Sequence, residues 1–97
     1  MVEEKRLDQN LYSTYLSRIN SVLDYIEQHL AEPLTLEELS DVANFSRFHF
    51  HRIFSVFMGE TLSHFIWRLR LEKAAVLLAN DSKKTVSEIA LDCGFSS

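Results

Sequence analysis

Apolar positions along the first third of the chain fall at Leu11, Tyr12, Tyr15, Leu16, Ile19, Val22, Leu23, Ile26 and Leu30. That three-and-four spacing is one buried face of a helix. It predicts a helix from about Gln9 to Leu30, stopped ahead of Pro33, because a residue before proline is driven out of helical geometry. Asp8 is a candidate N-cap. Tyr12, Leu16, Ile19, Leu23, Ile26 and Leu30 also step by four and three, so the stripe reads either as core packing or as a heptad seam for a coiled-coil dimer. Further on, Phe50, Ile53, Phe54 and Phe57 repeat at i, i+3, i+4 and i+7 and should face inward, with Gly59 ending their helix. Over about 62–80, Leu62, Phe65, Ile66, Leu69, Val76 and Leu77 share one stripe, while Trp67, Leu71, Ala74 and Leu78 share another nearly opposite. A helix apolar on two sides joins two cores, so this segment reads as a linker helix. Strand-like alternation is absent and there are only two Gly and one Pro, so the class is all-α.

The pattern repeats. TLEELSDVANFSR (35–47) aligns without a gap on TVSEIALDCGFSS (85–97), fifty residues later. Thr35-x-x-Glu38 and Thr85-x-x-Glu88 are both capping-box sequences, each opening a short helix, about 36–43 and 86–93. Asn44 and Gly94 then supply residues that tolerate positive φ. An aromatic follows, then Ser46 or Ser96 as the cap of a next helix. A capped short helix, a tight turn and a second cap outline a helix-turn-helix. The first copy continues as FHFHRIFSVFMG, and after the second there is no further sequence. The second subdomain is thus expected to be incomplete, the chain being a fragment that stops at the cap of a second reading helix.

Composition narrows the class. At 97 residues and 46% apolar, the chain can bury a core. One Cys allows no internal disulfide and fits a reducing compartment. There is no signal-like N-terminus and no apolar run near membrane-spanning length, so a cytoplasmic protein is expected. The net charge of −4 argues against nucleic acid until its distribution is considered. Residues 1–43 hold three Lys/Arg against nine Asp/Glu, whereas 44–73 hold five against two and 74–97 two against three. A basic middle on an acidic chain suggests a directed surface, against the blander reading of scattered charge.

The candidate chemistry gathers after Ser46. Phe48, Arg52 and Ser55 oppose Phe50 and Phe54 in helical phase, and with Arg47 and His51 they are assigned to the other face, the layout of a helix that reads a major groove with its N-terminal residues. Arginine forks match guanine acceptors or phosphates. His51 reads as a groove donor, and His49 as a phosphate contact or a bystander. His49 and His51 lie about 200° apart on a helix and cannot share one ion, so no metal and no cofactor are expected. His64 reads as a surface residue, and His29 as a complement to the first helix's C-terminal dipole. Cys93 matches Ala43 and belongs in a core rather than in reactive chemistry. Arg70 reads as a structural donor, and Arg68 and Lys73 as solvated or near phosphate. Glu37, Glu38 and Asp41 are capping or solvated charges, and no nucleophile–base pair or phosphate loop suggests an enzyme.

These residues resemble the AraC/XylS family of bacterial transcription regulators. SRFHFHRIFSVFMG follows that family's reading-helix pattern, with Ser55 where Lys is usual; RLEKAAVLL (70–78) follows its linker motif, and IALDCGFS (89–96) its second subdomain. The resemblance covers residues 17–97. YIEQHL, FHFHRIF and the GET tripeptide also resemble members whose DNA-binding domain is followed by a GyrI-like effector-binding domain. An N-terminal extension of the first helix is expected over 1–16, and the resemblance implies a first helix-turn-helix subdomain over 17–60, a linker helix over 61–80 and a partial second subdomain over 81–97. It implies double-stranded DNA as partner, RNA polymerase as a further one, and Ser46, Arg47, Phe48, His49, His51 and Arg52 as the DNA-binding residues.

The alternative is an all-α interaction or dimerisation module built on the heptad seam. Without a second reading helix, the stripe of Trp67, Leu71, Ala74 and Leu78, with Ile89, Cys93 and Phe95, lacks a lid. Disorder after about Asn80, or self-association over that surface, is then expected, together with weak DNA binding.

Overall fold

The computed structural model describes residues 2–80 and 83–95, with side chains from Gln9 onward. Five helices and no strand occur among the described residues: α1 (Val2–Gln28), α2 (Leu36–Ala43), α3 (Arg47–Met58), α4 (Leu62–Asn80) and α5 (Val86–Asp92). Helix α1 begins well before Gln9, so Asp8 is an interior residue and not its cap. Its last turn closes at Gln28 rather than Leu30. His29 follows, stacked on Tyr25 and hydrogen-bonded through Nδ1 to Glu32.

The main core joins α1, α2, α3 and the first half of α4. Ile19, Val22, Ile26, Leu39, Ala43, Phe50 and Phe54 are essentially sealed from solvent, with Leu30, Leu62, Phe65 and Ile66 beside them. Phe54 meets Phe50 and Phe65 edge-on at centroid distances of 5.8 and 5.5 Å. The α1 stripe is fully buried only from Ile19 onward; Leu11, Tyr12 and Leu16 remain exposed, although Tyr12 stacks on Phe57, and Tyr15 is half-buried against Phe45. Ser40, the buried polar residue of this core, donates its hydroxyl to the Leu36 carbonyl at 2.6 Å, so no donor is left unmet.

The repeat recurs as hydrogen-bond geometry. Asn44 N–H donates to Asp41 O at 3.1 Å and Phe45 N–H to Ser40 O at 3.0 Å; fifty residues on, Gly94 N–H donates to Leu91 O at 3.1 Å and Phe95 N–H to Ala90 O at 3.0 Å. Asn44 at φ 59° and Gly94 at φ 93° both take the positive φ these turns need. The two caps differ. Thr85 and Glu88 close a reciprocal capping box. Thr35 accepts from Glu38 N–H, but the Glu38 carboxylate turns away to accept from the Tyr25 hydroxyl, so the expected first box is only half formed. That hydrogen bond to Glu38 also pushes the Tyr25 phenol above its usual value.

Helix α4 carries a second, smaller core, in which Ala74, Ile89 and Cys93 are buried under Leu77 and Phe95. The predicted stripes need correcting here. Leu77 joins this second core, and Val76, assigned to the first stripe, is 59% exposed. The expected disorder after Asn80 gives way to a formed α5 that seats Ile89 and Cys93 on α4. Trp67, Leu71 and Leu78 stay about half exposed, and Val86 and Leu91 on α5 are more exposed still. The predicted second cap, Ser96, lies outside the described residues.

Two contacts tie the second core back to the first. Arg70 donates Nε to the Leu30 carbonyl at 3.0 Å and a guanidinium NH2 group to the Glu32 carbonyl at 2.9 Å, closing the end of α1. Gly94 lies against the same carbonyl, where a Cβ would overlap Leu30 O and come within 2.8 Å of Arg70 Nε. Arg68 departs from the sequence reading. It pairs with Glu60 at 2.6 Å and Glu72 at 2.9 Å, with its guanidinium over the Phe65 ring, so it is neither simply solvated nor free for a phosphate.

Candidate nucleic-acid interface

Helix α3 is held by one side and bare on the other. Ser46 is extended (ψ 158°), and its hydroxyl accepts from His49 N–H at 3.2 Å, fixing the first turn. Phe50 and Phe54 anchor the inner side with no exposed surface. The sequence-predicted residues Ser46, Arg47, Phe48, His49, His51 and Arg52 are all exposed, and Phe48, at 87%, is the barest large hydrophobic residue among the described ones. Arg47, Phe48, His51 and Arg52 come together with Leu36 of α2 around an open cleft of about 470 Å³. No acidic residue lies in the first turn of α3, and none occurs in the helix. The amino end of the helix dipole and two arginines therefore act in the same direction, toward an anion.

His49 leans back instead of outward. Its ring lies edge-on to Tyr15 and Phe45 at 5.6 and 5.1 Å, and its Nε2 is 3.4 Å from the Tyr15 hydroxyl. Arg18 reaches the same turn, donating to the Asn44 carbonyl at 3.2 Å with its guanidinium 4.9 Å from the Phe45 ring centroid. Tyr15 and Arg18 thus clamp the α2–α3 turn and the first turn of α3 to α1. Sequence reasoning assigned neither residue this task. Their i, i+3 spacing beside the Ile19 stripe was the available signal, but their partners are 34 and 26 residues away.

Other chemistry is sparse. Among the described residues no group of His, Cys, Asp and Glu could hold a metal ion, and no helix is long and apolar enough to cross a membrane. Cys93 is buried in the second core. The heptad seam is largely taken up within the chain, because Ile19, Ile26 and Leu30 are core residues, which leaves little of it for a dimer.

Comparison with known proteins places this geometry in context. A model described as a helix-turn-helix domain matches residues 39–97. The probable transcriptional regulator LumQ of Photobacterium leiognathi is 40% identical over 84 residues, covering 84% of this chain and 34% of that protein. An uncharacterized helix-turn-helix-type transcriptional regulator of Staphylococcus aureus (strain MSSA476) is 39% identical over 80 residues, covering 82% of this chain and 11% of that protein. The chain therefore spans about a third or less of the length of these curated relatives. Among solved structures, a Chromobacterium violaceum transcriptional regulator described as containing an AraC-type DNA-binding domain superposes with TM-score 0.77 at 30% identity, over 84% of this chain and 72% of that one. The DNA-binding domain of the global transcriptional factor AdpA, solved in complex with a target DNA, superposes with TM-score 0.72 at 33% identity, over 78% of this chain and 68% of that one.

Proposed function

We propose, for a chain that belongs to the AraC-type helix-turn-helix family of transcriptional regulators, that α3 is its reading helix and enters the major groove with Arg47, Phe48, His51 and Arg52 toward the bases. The observation that carries this is the division of α3: Phe50 and Phe54 are sealed in the core, and the opposite face, directly after the Ser46 cap, is bare and basic. Arg52 forks onto a guanine O6 and N7, Arg47 takes a guanine or a phosphate, and His51 donates to a base edge. Ser46, at the amino end of α3, sits closest to a phosphate, and His49, its ring leaning back on Tyr15 and Phe45, borders that position. We take residues 17–60 as the first DNA-reading unit, 61–80 as the linker and 81–97 as part of a second unit aimed at the adjacent groove, with 1–16 extending α1. The parent regulator acts in the cytoplasm on double-stranded DNA, with RNA polymerase as its downstream partner. The exposed surface of Trp67, Leu71 and Leu78 favours contact with a second copy.

The test is titration of fluorescent duplexes by the chain across a salt series. Binding that weakens steeply with salt, because phosphate neutralisation releases counterions, and that prefers a selected duplex over a random one supports the reading. Salt-independent binding, or none at low salt, contradicts it.

A further inference from the structure

We infer that α3 reads a 5-methylpyrimidine beside a guanine, with Phe48 as the methyl-sensing side chain and Arg52 as the guanine reader. This rests on the DNA-binding reading above. Phe48 opposes Phe50 in phase and is 87% exposed, so the ring makes no contribution to the core. It shares its cleft with Leu36, Arg47, His51 and Arg52: two apolar walls beside three nitrogen donors. The C5 methyl of thymine is the apolar feature a base presents in the major groove, and cytosine gains the same group when methylated at C5. A ring and a leucine side chain facing that groove suit such a methyl.

The rest of the helix narrows the reading. RFHFHRIFSVFM contains no Asn, Gln, Asp or Glu. Those are the side chains that fork onto adenine N6 and N7 or accept from cytosine N4. The remaining strong vocabulary is arginine to guanine and aromatic to methyl. Phe48 and Arg52 stand one turn apart on the same exposed face, so their Cβ atoms are about 5–6 Å apart. Successive bases on one strand rise about 3.4 Å. The methyl and the guanine therefore lie within one or two base-pair steps of each other. Uracil, or cytosine without its methyl, leaves the Phe48 ring facing water.

The experiment uses the 97-residue chain and a duplex that this chain selects from a random-sequence pool. Each thymine is replaced singly by uracil, which removes only the methyl, and unmethylated and C5-methylated cytosine are compared at the same position. At one position uracil should weaken binding about three- to fivefold, the worth of one buried methyl group. Methylcytosine should outbind cytosine there by a similar factor, and whichever pair shows the larger gain identifies the methyl source. Phe48→Ala should erase both differences, whereas Phe48→Leu should keep part of them; the exposure of this residue makes a folding defect an unneeded explanation. If thymine and uracil bind alike at every position, or Phe48→Ala keeps the methyl dependence, the inference fails while Arg52-dependent binding still stands. If no duplex is selected, the DNA-binding reading fails and this inference with it.

Discussion

Arg52 carries the sharpest expectation of any single side chain. Arg52→Ala should cost about 1–3 kcal/mol of binding and relax preference at one guanine. Equal loss on every duplex would make Arg52 a phosphate clamp instead. The inward–outward phase of α3 could be read from sequence because helical periodicity alone separates Phe50 and Phe54 from Phe48 and Arg52, whereas Arg47 shares their phase and is exposed as the first residue of the helix. The tasks of Arg18, Tyr15 and Glu60 could not, because each depends on a partner that periodicity does not bring near. Glu60 accepts from Arg68 and from His64 Nδ1, the latter at 2.5 Å, and these bonds, Arg68 foremost, hold its carboxyl below the ordinary 4.5. A carboxyl depressed in the folded state stabilises it above the ordinary value, and that contribution is lost as pH falls through the folded one. The melting-temperature gap between the native chain and Glu60→Gln should therefore be present at neutral pH and close as acidification proceeds below 4.5. A gap that widens on acidification would reverse this sign.

Among the helices, boundaries set by local chemistry agreed with sequence best. Thr35, Asn44, Ser46, Gly59 and Thr85 all act as caps where their residue types suggested. Periodicity alone placed the start of α1 too late, because the polar, mixed-charge run before Gln9 shows no apolar period, yet the helix continues through it. The division of α4 between two cores was visible in its two stripes. The assignment of Val76 and Leu77 was not, because a few tens of degrees decide which core a residue meets near the end of a 19-residue helix. The docking of α5 depends on Gly94 for both its φ and its approach to Leu30 O. Gly94→Ala should loosen α5 before the rest of the chain, seen as faster amide exchange at Ile89 and Cys93 with α1–α3 protection retained. Uniform loss of protection would mean that the two cores unfold as one.

The assembled chain sets a complete first core beside a smaller second one, with α4 shared between them. Phe54→Ala opens a cavity at the centre of the first and should destabilise the protein by about 3–5 kcal/mol in chemical denaturation; a loss under 1 kcal/mol would contradict its central place, by the same scale. The net charge of −4 conceals the basic face proposed to read DNA, because the acidic excess lies largely in residues 1–43 whereas α3 holds arginines and no acid. The central claim is that this bare face lies in a major groove. Dimethyl sulfate footprinting tests it directly, since the reagent attacks guanine N7 in the major groove and adenine N3 in the minor groove. Bound to its selected duplex, the chain should protect a short cluster of guanine N7 atoms, and Arg52→Ala should restore reactivity at one of them. Protection confined to adenine N3, or guanine protection that Arg52→Ala leaves unchanged, would contradict the placement of α3.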